Sequence, residues 1–233
     1  MNRIIALTAD GSHTIAVPEM EVSYHSKHGA IMESTHVFIE AGLQYLLNRS
    51  PSPISLLEIG FGTGLNALLT AVKITGTAHP VYYTSIEPYP LTRNEFEALN
   101  YGAVTNQAVL FEQLHHCNWE EWTTIHTSFH LYKHKNSLQL FSRNSIPRGK
   151  GLQEQETIQY DCIYFDAFSP VVQPELWSAE IFSKLFDMLK IGGILTTYCS
   201  KTVVRRAMEA AGFTVTKIQG PHGKREMVRA VRN

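Results

Sequence analysis

Cysteine is scarce in this chain. Cys117, Cys162 and Cys199 are the only three in 233 residues, far apart and odd in number. Two fall inside apolar stretches that read as buried strands, which speaks against structural disulfides or a cysteine-based metal site and points to a reducing cytoplasm. Long hydrophobic runs are missing too. Ahead of Asp10 the only apolar run is Ile4 to Leu7, too short for a secretory signal or a membrane span, so no membrane partner is expected. Nor does either sign of charge dominate, with 20 Lys and Arg against 21 Asp and Glu. Such a balance does not announce a nucleic-acid binder, but its distribution is uneven. From Lys201 onward stand Lys201, Arg205, Arg206, Lys217, Lys224, Arg225, Arg229 and Arg232, against Glu209 and Glu226. A region of that kind either draws phosphates to one face or is merely well solvated. No His-Glu-x-x-His or Gly-x-Ser-x-Gly motif occurs. His126, His130 and His134 recur every four residues, but Phe129 to Leu131 with Leu138 to Phe141 look like a strand pair, where that spacing does not converge on a metal.

What is present is alternation. Strands are expected at Ser55 to Ile59, Val81 to Ile86, Tyr160 to Phe165 and, after Gly192-Gly193, Ile194 to Tyr198. Phe213 to Ile218 and Met227 to Val231, flanking Gly220-Pro221-His222-Gly223, read as an antiparallel hairpin at the sheet edge. Between them lie helices: one capped by Ser34 with Val37, Phe38, Leu43, Leu46 and Leu47 on its apolar side, one through Ile181, Leu185 and Met188 or Leu189, and one from Thr202 to Ala211. This is the pattern of an α/β fold with a mostly parallel sheet. Residues 1–33 look like a strand-rich extension around Asp10-Gly11, and residues 142–158 like a polar loop. The expected division is an N-terminal extension with the first helix over 1–50 and a main unit over 51–233, forming one structural domain.

In a parallel sheet the ligand lies beyond the C-terminal strand ends. There the first strand passes through Glu58 into Gly60-Phe61-Gly62-Thr63-Gly64-Leu65-Asn66, a glycine turn opening a helix. Glycines let a ligand approach the backbone, and the helix start offers free N–H groups. A dinucleotide fingerprint would need a glycine where Leu65 stands, and a phosphate loop would need Gly-Lys-Ser or Gly-Lys-Thr. Neither fits. An acid two residues before Gly-x-Gly-x-Gly resembles the first motif of Rossmann-like, class I S-adenosylmethionine-dependent methyltransferases. Glu87, closing the second strand 23 residues after Gly64, suits the ribose hydroxyls, and Glu58 suits orientation of the turn or of the methionine ammonium. Asp166 opens Asp-Ala-Phe-Ser-Pro at the end of the strand from Tyr160, similar to the acid–aromatic–proline loop of amino-group methyltransferases. Phe168 would stack on a base there, and Trp177 either does the same or, on the favoured reading, anchors the next helix in the core.

Taken together, Asp10-Gly11-Ser12, Tyr24-His25-Ser26, Glu33 to Phe38, Gly60 to Asn66, Asp166 to Pro170, Gln173 to Trp177, Val204-Arg205-Arg206 and Lys224-Arg225-Glu226-Met227 resemble a family. It is the methyltransferase half of the bacterial bifunctional enzyme that completes 5-methylaminomethyl-2-thiouridine at the tRNA wobble position, with its free-standing relatives. The resemblance implies S-adenosylmethionine bound by Glu58, Gly60, Phe61, Gly62, Thr63, Gly64, Asn66 and Glu87. It further implies a catalytic Asp166 that holds an amine in line with the methyl group, and a tRNA substrate contacted by Phe168, Pro170, Lys201, Arg205, Arg206, Lys224 and Arg225. For Arg225 the competing reading is an ion pair with Glu226 in the hairpin. The flavin-dependent half of the bifunctional members is not expected in this chain, which ends at Asn233, nor is a metal. Cytoplasmic location and a link to upstream enzymes that install the aminomethyl group follow from the same likeness. One departure stands out: relatives carry Gly-Asp after the strand represented by Ser137 to Phe141, where an acid meets the adenine, and this chain has Ser142-Arg143-Asn144. The adenine contact is therefore left open. The rival readings are methyl or aminopropyl transfer to a free small amine, and a noncatalytic binding module.

Overall fold

The computed structural model describes residues 2–49, 52–147 and 158–233. β1 (Ile4–Leu7), β2 (His13–Val17) and β3 (Val22–Ser23) form a small antiparallel sheet, β1 and β2 turning at Asp10-Gly11. A helical run over 30–47 follows: α1 (Ala30–Ser34), a π-helical stretch Thr35–Gln44, and α2 (Tyr45–Leu47). Ser34 is therefore not a cap. It lies inside the helix in α conformation, and Gly29 precedes the first turn. The π stretch bonds each N–H five residues back, and such wider turns are rarely this long. It passes so close to the sheet that a Cβ on Gly42 would sit 2.9 Å from the ring of Tyr164.

The main sheet comes next: β4 (Ile54–Ile59), α3 (Leu65–Ile74), β5 (Val81–Ile86), α4 (Arg93–Glu97), α5 (Tyr101–Val104), α6 (Ala108–His116), β6 (Trp122–His126) and β7 (Phe129–His134). After these the chain returns through β8 (Tyr160–Phe165), α7 (Ala179–Met188), β9 (Leu189–Thr197), α8 (Thr202–Ala210), β10 (Thr214–Gln219) and β11 (Glu226–Val231). Their spatial order is β10-β11-β9-β8-β4-β5-β7-β6. β9, β8, β4, β5 and β7 run parallel, and β6 and the β10–β11 hairpin close the two edges antiparallel. β4 and β8 are buried at every position, as strands covered on both faces must be. Period two then sorts their side chains. Leu56, Cys162 and Tyr164 join the core under α3 and the N-terminal helix, while Leu57, Ile59, Ile163 and Phe165 join the core under α7 and α8.

Two expectations change. Ser137 to Phe141 is a turn rather than a strand: Ser137 O accepts from the N–H groups of Leu140 and Phe141, and Lys184 Nζ binds the carbonyls of Leu138 and Gln139. Its apolar residues Leu138 and Phe141 are buried from that turn, and burial in a strand and in a turn looks alike in sequence. β9 also begins earlier than expected, at Leu189, so the helix before it stops at Met188 and Gly192-Gly193 lie within the strand. Of the polar loop, residues 148–157 lie outside the described residues, and Arg143–Ser145 forms a single 3-10 turn. No helix among the described residues is long and apolar enough to cross a membrane.

Replacing Gly42 by Ala would force the buried Tyr164 ring to move. Overpacking of this kind costs about 1–3 kcal/mol, so a clear drop in the urea midpoint with an unchanged slope is the expected result for Gly42→Ala.

Candidate active site

The chain leaves β4 for β5 and β7 on one side and returns to β8 and β9 on the other, so the strand order reverses between β4 and β8. Ligands of open α/β sheets occupy that crevice. A cavity of about 570 Å³ lies there, the size of a small-ligand site. Its walls come from the glycine turn, the loops after β5, β7 and β8, the N-terminal segment and the hairpin loop.

Gly60 and Gly62 take φ of +95° and +49°, and Gly64, at +74°, precedes α3 as its cap. A Cβ at Gly60 would stand 2.9 Å from the carbonyl oxygen of Asp166, so glycine is what lets the ends of β4 and β8 touch. Gly60, Phe61, Gly62, Thr63 and Asn66 line the cavity, whereas Gly64 does not. Phe61 instead packs edge-on against His115 and Trp119, and Thr63 O meets His115 Nε2 at 3.1 Å. Burial lowers His115 to about 3, leaving a neutral ring as a prop for the turn.

Glu87 lines the cavity and holds the turn from the other side. Its Oε2 accepts from Gly62 N at 3.0 Å and its Oε1 from Tyr89 N at 2.8 Å. Burial raises it, while those two N–H groups pull it back. Each carboxylate oxygen keeps a free lone pair, as a vicinal diol requires. Glu58 is placed differently: it is fully buried below the cavity wall, with Oε2 accepting from Ser85 Oγ at 2.6 Å and Oε1 without a hydrogen-bond partner among the described residues. Burial, helped by the charge of Asp166, lifts it to about 8. At neutral pH it is mostly a neutral acid.

Asp166 lies on the cavity wall, its Oδ2 accepting from Asn66 Nδ2 at 2.8 Å. Burial raises it to about 7, with Asn66 and Lys224 acting against the rise and Glu33 adding to it. Phe168 lines the same wall and meets Tyr24 edge-on at 5.1 Å, and Trp177 is the core anchor expected, with Nε1 donating to Phe168 O at 2.8 Å. Pro170 is outside the lining, where Ser169 takes part instead.

The basic residues divide. Lys224 is inside the cavity wall, paired with Glu33 at 2.5 Å. Lys201, Arg206 and Arg225 are exposed and outside it, and Arg205 is half-buried. The partner of Glu226 is Lys217 at 2.9 Å, not Arg225 as the hairpin reading would have it, although Arg225 and Arg205 also add to the positive field around that acid. Sequence reasoning missed Tyr24, Glu33 and Tyr198, which reach the cavity from distant parts of the chain. Tyr24 and Glu33 stood in the quoted resemblance, without a role. Because β7 ends at His134, the wall beyond it includes Ser137, Leu138 and Gln139. Among the described residues no group of three potential metal ligands forms, and His126, His130 and His134 bind Ala71 O, Thr124 Oγ1 and Glu120 separately.

A parallel sheet with a glycine turn and two strand-end acids around its switch point defines an adenosyl-cofactor-dependent transferase of Rossmann-like architecture. Residues 110–233 match the family described as S-adenosyl-L-methionine-dependent methyltransferase, and the chain belongs to that family. The residues suit this cofactor: the turn has no room for Cβ atoms, Glu87 retains acceptor capacity, and the buried Asn66 Oδ1 beside the cavity has no hydrogen-bond partner among the described residues. Similar proteins are the tRNA 5-methylaminomethyl-2-thiouridine biosynthesis bifunctional proteins MnmC of Burkholderia multivorans (27% identical, covering 96% of this chain and 34% of the relative) and Nitrosospira multiformis (30%, 88% and 33%). The chain thus spans about a third of the length of these curated relatives. The crystal structure of MNMC2 from Aquifex aeolicus has a TM-score of 0.77 at 25% identity and covers all of this chain and 71% of its own.

Glu58 gives the fold a pH dependence. Its folded value of about 8 lies above its ordinary value of 4.5, so its contribution to stability is complete below 4.5 and is lost as pH rises toward 8. Urea unfolding at pH 5 and pH 8.5 should show wild type losing more stability than Glu58→Gln over that interval.

Proposed function

We propose that this chain transfers a methyl group from S-adenosylmethionine to the primary amine of 5-aminomethyl-2-thiouridine at the wobble position of tRNA, giving 5-methylaminomethyl-2-thiouridine. The observation that carries the reading is Asp166, a half-buried acid raised to about 7, tied to Asn66 and touching the glycine turn, in a chain whose relatives are named for that nucleoside. Residues 1–50 and 51–233 act as one unit in this reading, since Tyr24 and Glu33 line the same cavity as Asp166. A cytoplasmic setting and upstream enzymes that install the aminomethyl group belong to the same proposal.

The bound cofactor supplies a methyl group already made electrophilic by its sulfonium, so the protein's share is alignment and an unprotonated amine. Gly60 to Thr63 with Asn66 cradle the cofactor, Glu87 takes its ribose hydroxyls, and Ser137 to Gln139 face its adenine. Glu58 props the wall from below. Asn66 fixes Oδ2 of Asp166 and leaves Oδ1 for the acceptor nitrogen. An alkyl amine is protonated at neutral pH, with a reference value of about 10. A carboxylate alone would keep it so, while burial and nearby positive charge act the other way. With its own value near 7, Asp166 binds the ammonium, fixes its direction and accepts the proton or passes it to water. Phe168 stacks on the base, and Pro170 in the same loop helps to exclude water from it. Lys201, Arg205, Arg206 and Arg225 face the tRNA phosphates, a role supported by the cluster of Arg205, Lys217 and Arg225 around Glu226.

Incubation with labelled S-adenosylmethionine should put label into aminomethyl tRNA and not into unmodified tRNA or polyamines. Label in polyamines would favour the small-amine reading. Asp166→Ala should abolish transfer with cofactor affinity nearly intact. Gly62→Val should lose cofactor binding first, because its Cβ would come 3.1 Å from the ring of Tyr24 and its N–H serves Glu87. Binding of tRNA should weaken with salt, and neutralising Arg206 or Arg225 should lower the salt slope by about one each.

A further inference from the structure

One pair of charges at the acceptor end of the cavity has no part in the steps above. Glu33, on α1, is buried. Its Oε2 accepts from Ser26 N at 2.7 Å and its Oε1 from Lys224 Nζ at 2.5 Å. Lys224 arrives from 191 residues further along the chain, in the loop between β10 and β11, and its ammonium also lies 4.2 Å over the Tyr198 ring. The hydroxyl of Tyr198 donates to Ala167 O at 2.9 Å, so the ring that carries the cation is tied to the residue after Asp166. The loop itself is pinned. Gly223 takes φ of +84°, and a Cβ there would fall 2.5 Å from the His28 ring. Surface ion pairs are usually mobile and worth little. This one is held at both ends and faces the same cavity as Asp166.

We propose that Glu33 and Lys224 are positioning residues for Asp166: a fixed ion pair that sets the charge on the acceptor side of the cavity. Removing either half then moves the pH at which methyl transfer turns on, in opposite directions. The inference rests on Asp166 being the group that receives the acceptor amine.

Among the described residues, Asn66 on α3 bonds Asp166, and the titratable groups that interact with its charge are Glu58 on β4, Tyr83 on β5, Tyr101 on α5, Tyr198 just past β9, Glu33 and Lys224. Burial keeps the three tyrosines neutral, each raised above its ordinary value. Glu58 is mostly neutral at pH 7. That leaves Glu33 and Lys224 as the two opposed charges. Glu33 disfavours the carboxylate form of Asp166 and Lys224 favours it, so the two act against each other. Without Lys224 the acid Asp166 ionises later. Without Glu33 it ionises earlier, and the lysine also weighs against an ammonium at the same place.

The test is a set of pH–rate profiles for wild type, Glu33→Gln, Lys224→Met, Lys224→Arg and the double variant Glu33→Gln/Lys224→Met, using labelled cofactor and aminomethyl tRNA. In parallel, without tRNA, the affinity of sinefungin is followed over the same pH range. That cofactor analogue carries an amine where the methyl sulfonium stands, and its binding strengthens as Asp166 ionises. Lys224→Met should move the acid limb of both profiles up by about one pH unit and Glu33→Gln down by a similar amount. The double variant should return near wild type, and Lys224→Arg, which keeps the charge, should leave the limb in place. Limbs that stay where they are, or both singles moving the same way, overturn the inference. So does a Lys224→Met variant that loses only tRNA affinity, as a plain phosphate contact would. Should Lys224→Met fail to fold, Glu33→Gln against the double variant carries the comparison. If wild type does not methylate aminomethyl tRNA but the sinefungin limbs shift as expected, the substrate reading fails and the ion-pair role stands. Normal transfer with unmoved limbs sinks the ion-pair role alone.

Discussion

Everything in the site depends on two neighbouring parallel strands ending at the same level with nothing between them. β4 and β8 pair in register from Leu56 and Cys162 to Ile59 and Phe165, and Asp166 N bonds back to Ile59 O at 3.1 Å. Any side chain at position 60 would wedge the ends apart, because its first carbon would meet the Asp166 carbonyl. Glycine therefore does more than leave room for a ligand. It sets how far the glycine turn lies from Asp166 across the cavity, the separation on which the proposed in-line transfer depends.

The same closeness explains the electrostatics. Glu58, Asp166 and Glu87 stand on three adjacent strand ends, each desolvated, and each is raised above its ordinary value. Their remedies differ. Glu87 uses two backbone N–H groups, Asp166 uses the Asn66 amide, and Glu58 accepts from the Ser85 hydroxyl and is mostly protonated at neutral pH. One sheet edge thus offers an acceptor of hydrogen bonds, an acid poised near neutrality and an uncharged prop.

Strand positions, the edge hairpin, the glycine turn and the two strand-end acids were legible in sequence because each is a local signal: an apolar run, a turn dipeptide, an acid where the run stops. What was not legible came from elsewhere. Glu33 and Lys224 each look like ordinary charged residues until a contact spanning 191 positions joins them. Ser34 has the chemistry of a helix cap, yet the helix starts at Ala30, where Met32 N binds Asp10 across the first hairpin. Ser137 to Phe141 misled because Leu138 and Phe141 are buried from a turn, while the strand that ends at the cavity is Phe129–His134. The π-helical stretch left no mark in the spacing of Val37, Phe38 and Leu43.

The C-terminal hairpin is attached to the N-terminal helical run at three successive points. Lys224 binds Glu33, Gln219 O meets His36 Nε2 at 2.9 Å, and Arg229 reaches Ala41 O while its guanidinium covers the Tyr45 ring at 3.7 Å. A flap turns about a line, and attachments spread along a helix leave no such line. This side of the cavity is a wall. The opposite rim is built otherwise: the exposed Tyr89, Gln139 and Glu175 border the cavity there, on loops that make no hydrogen bond to that helical run among the described residues.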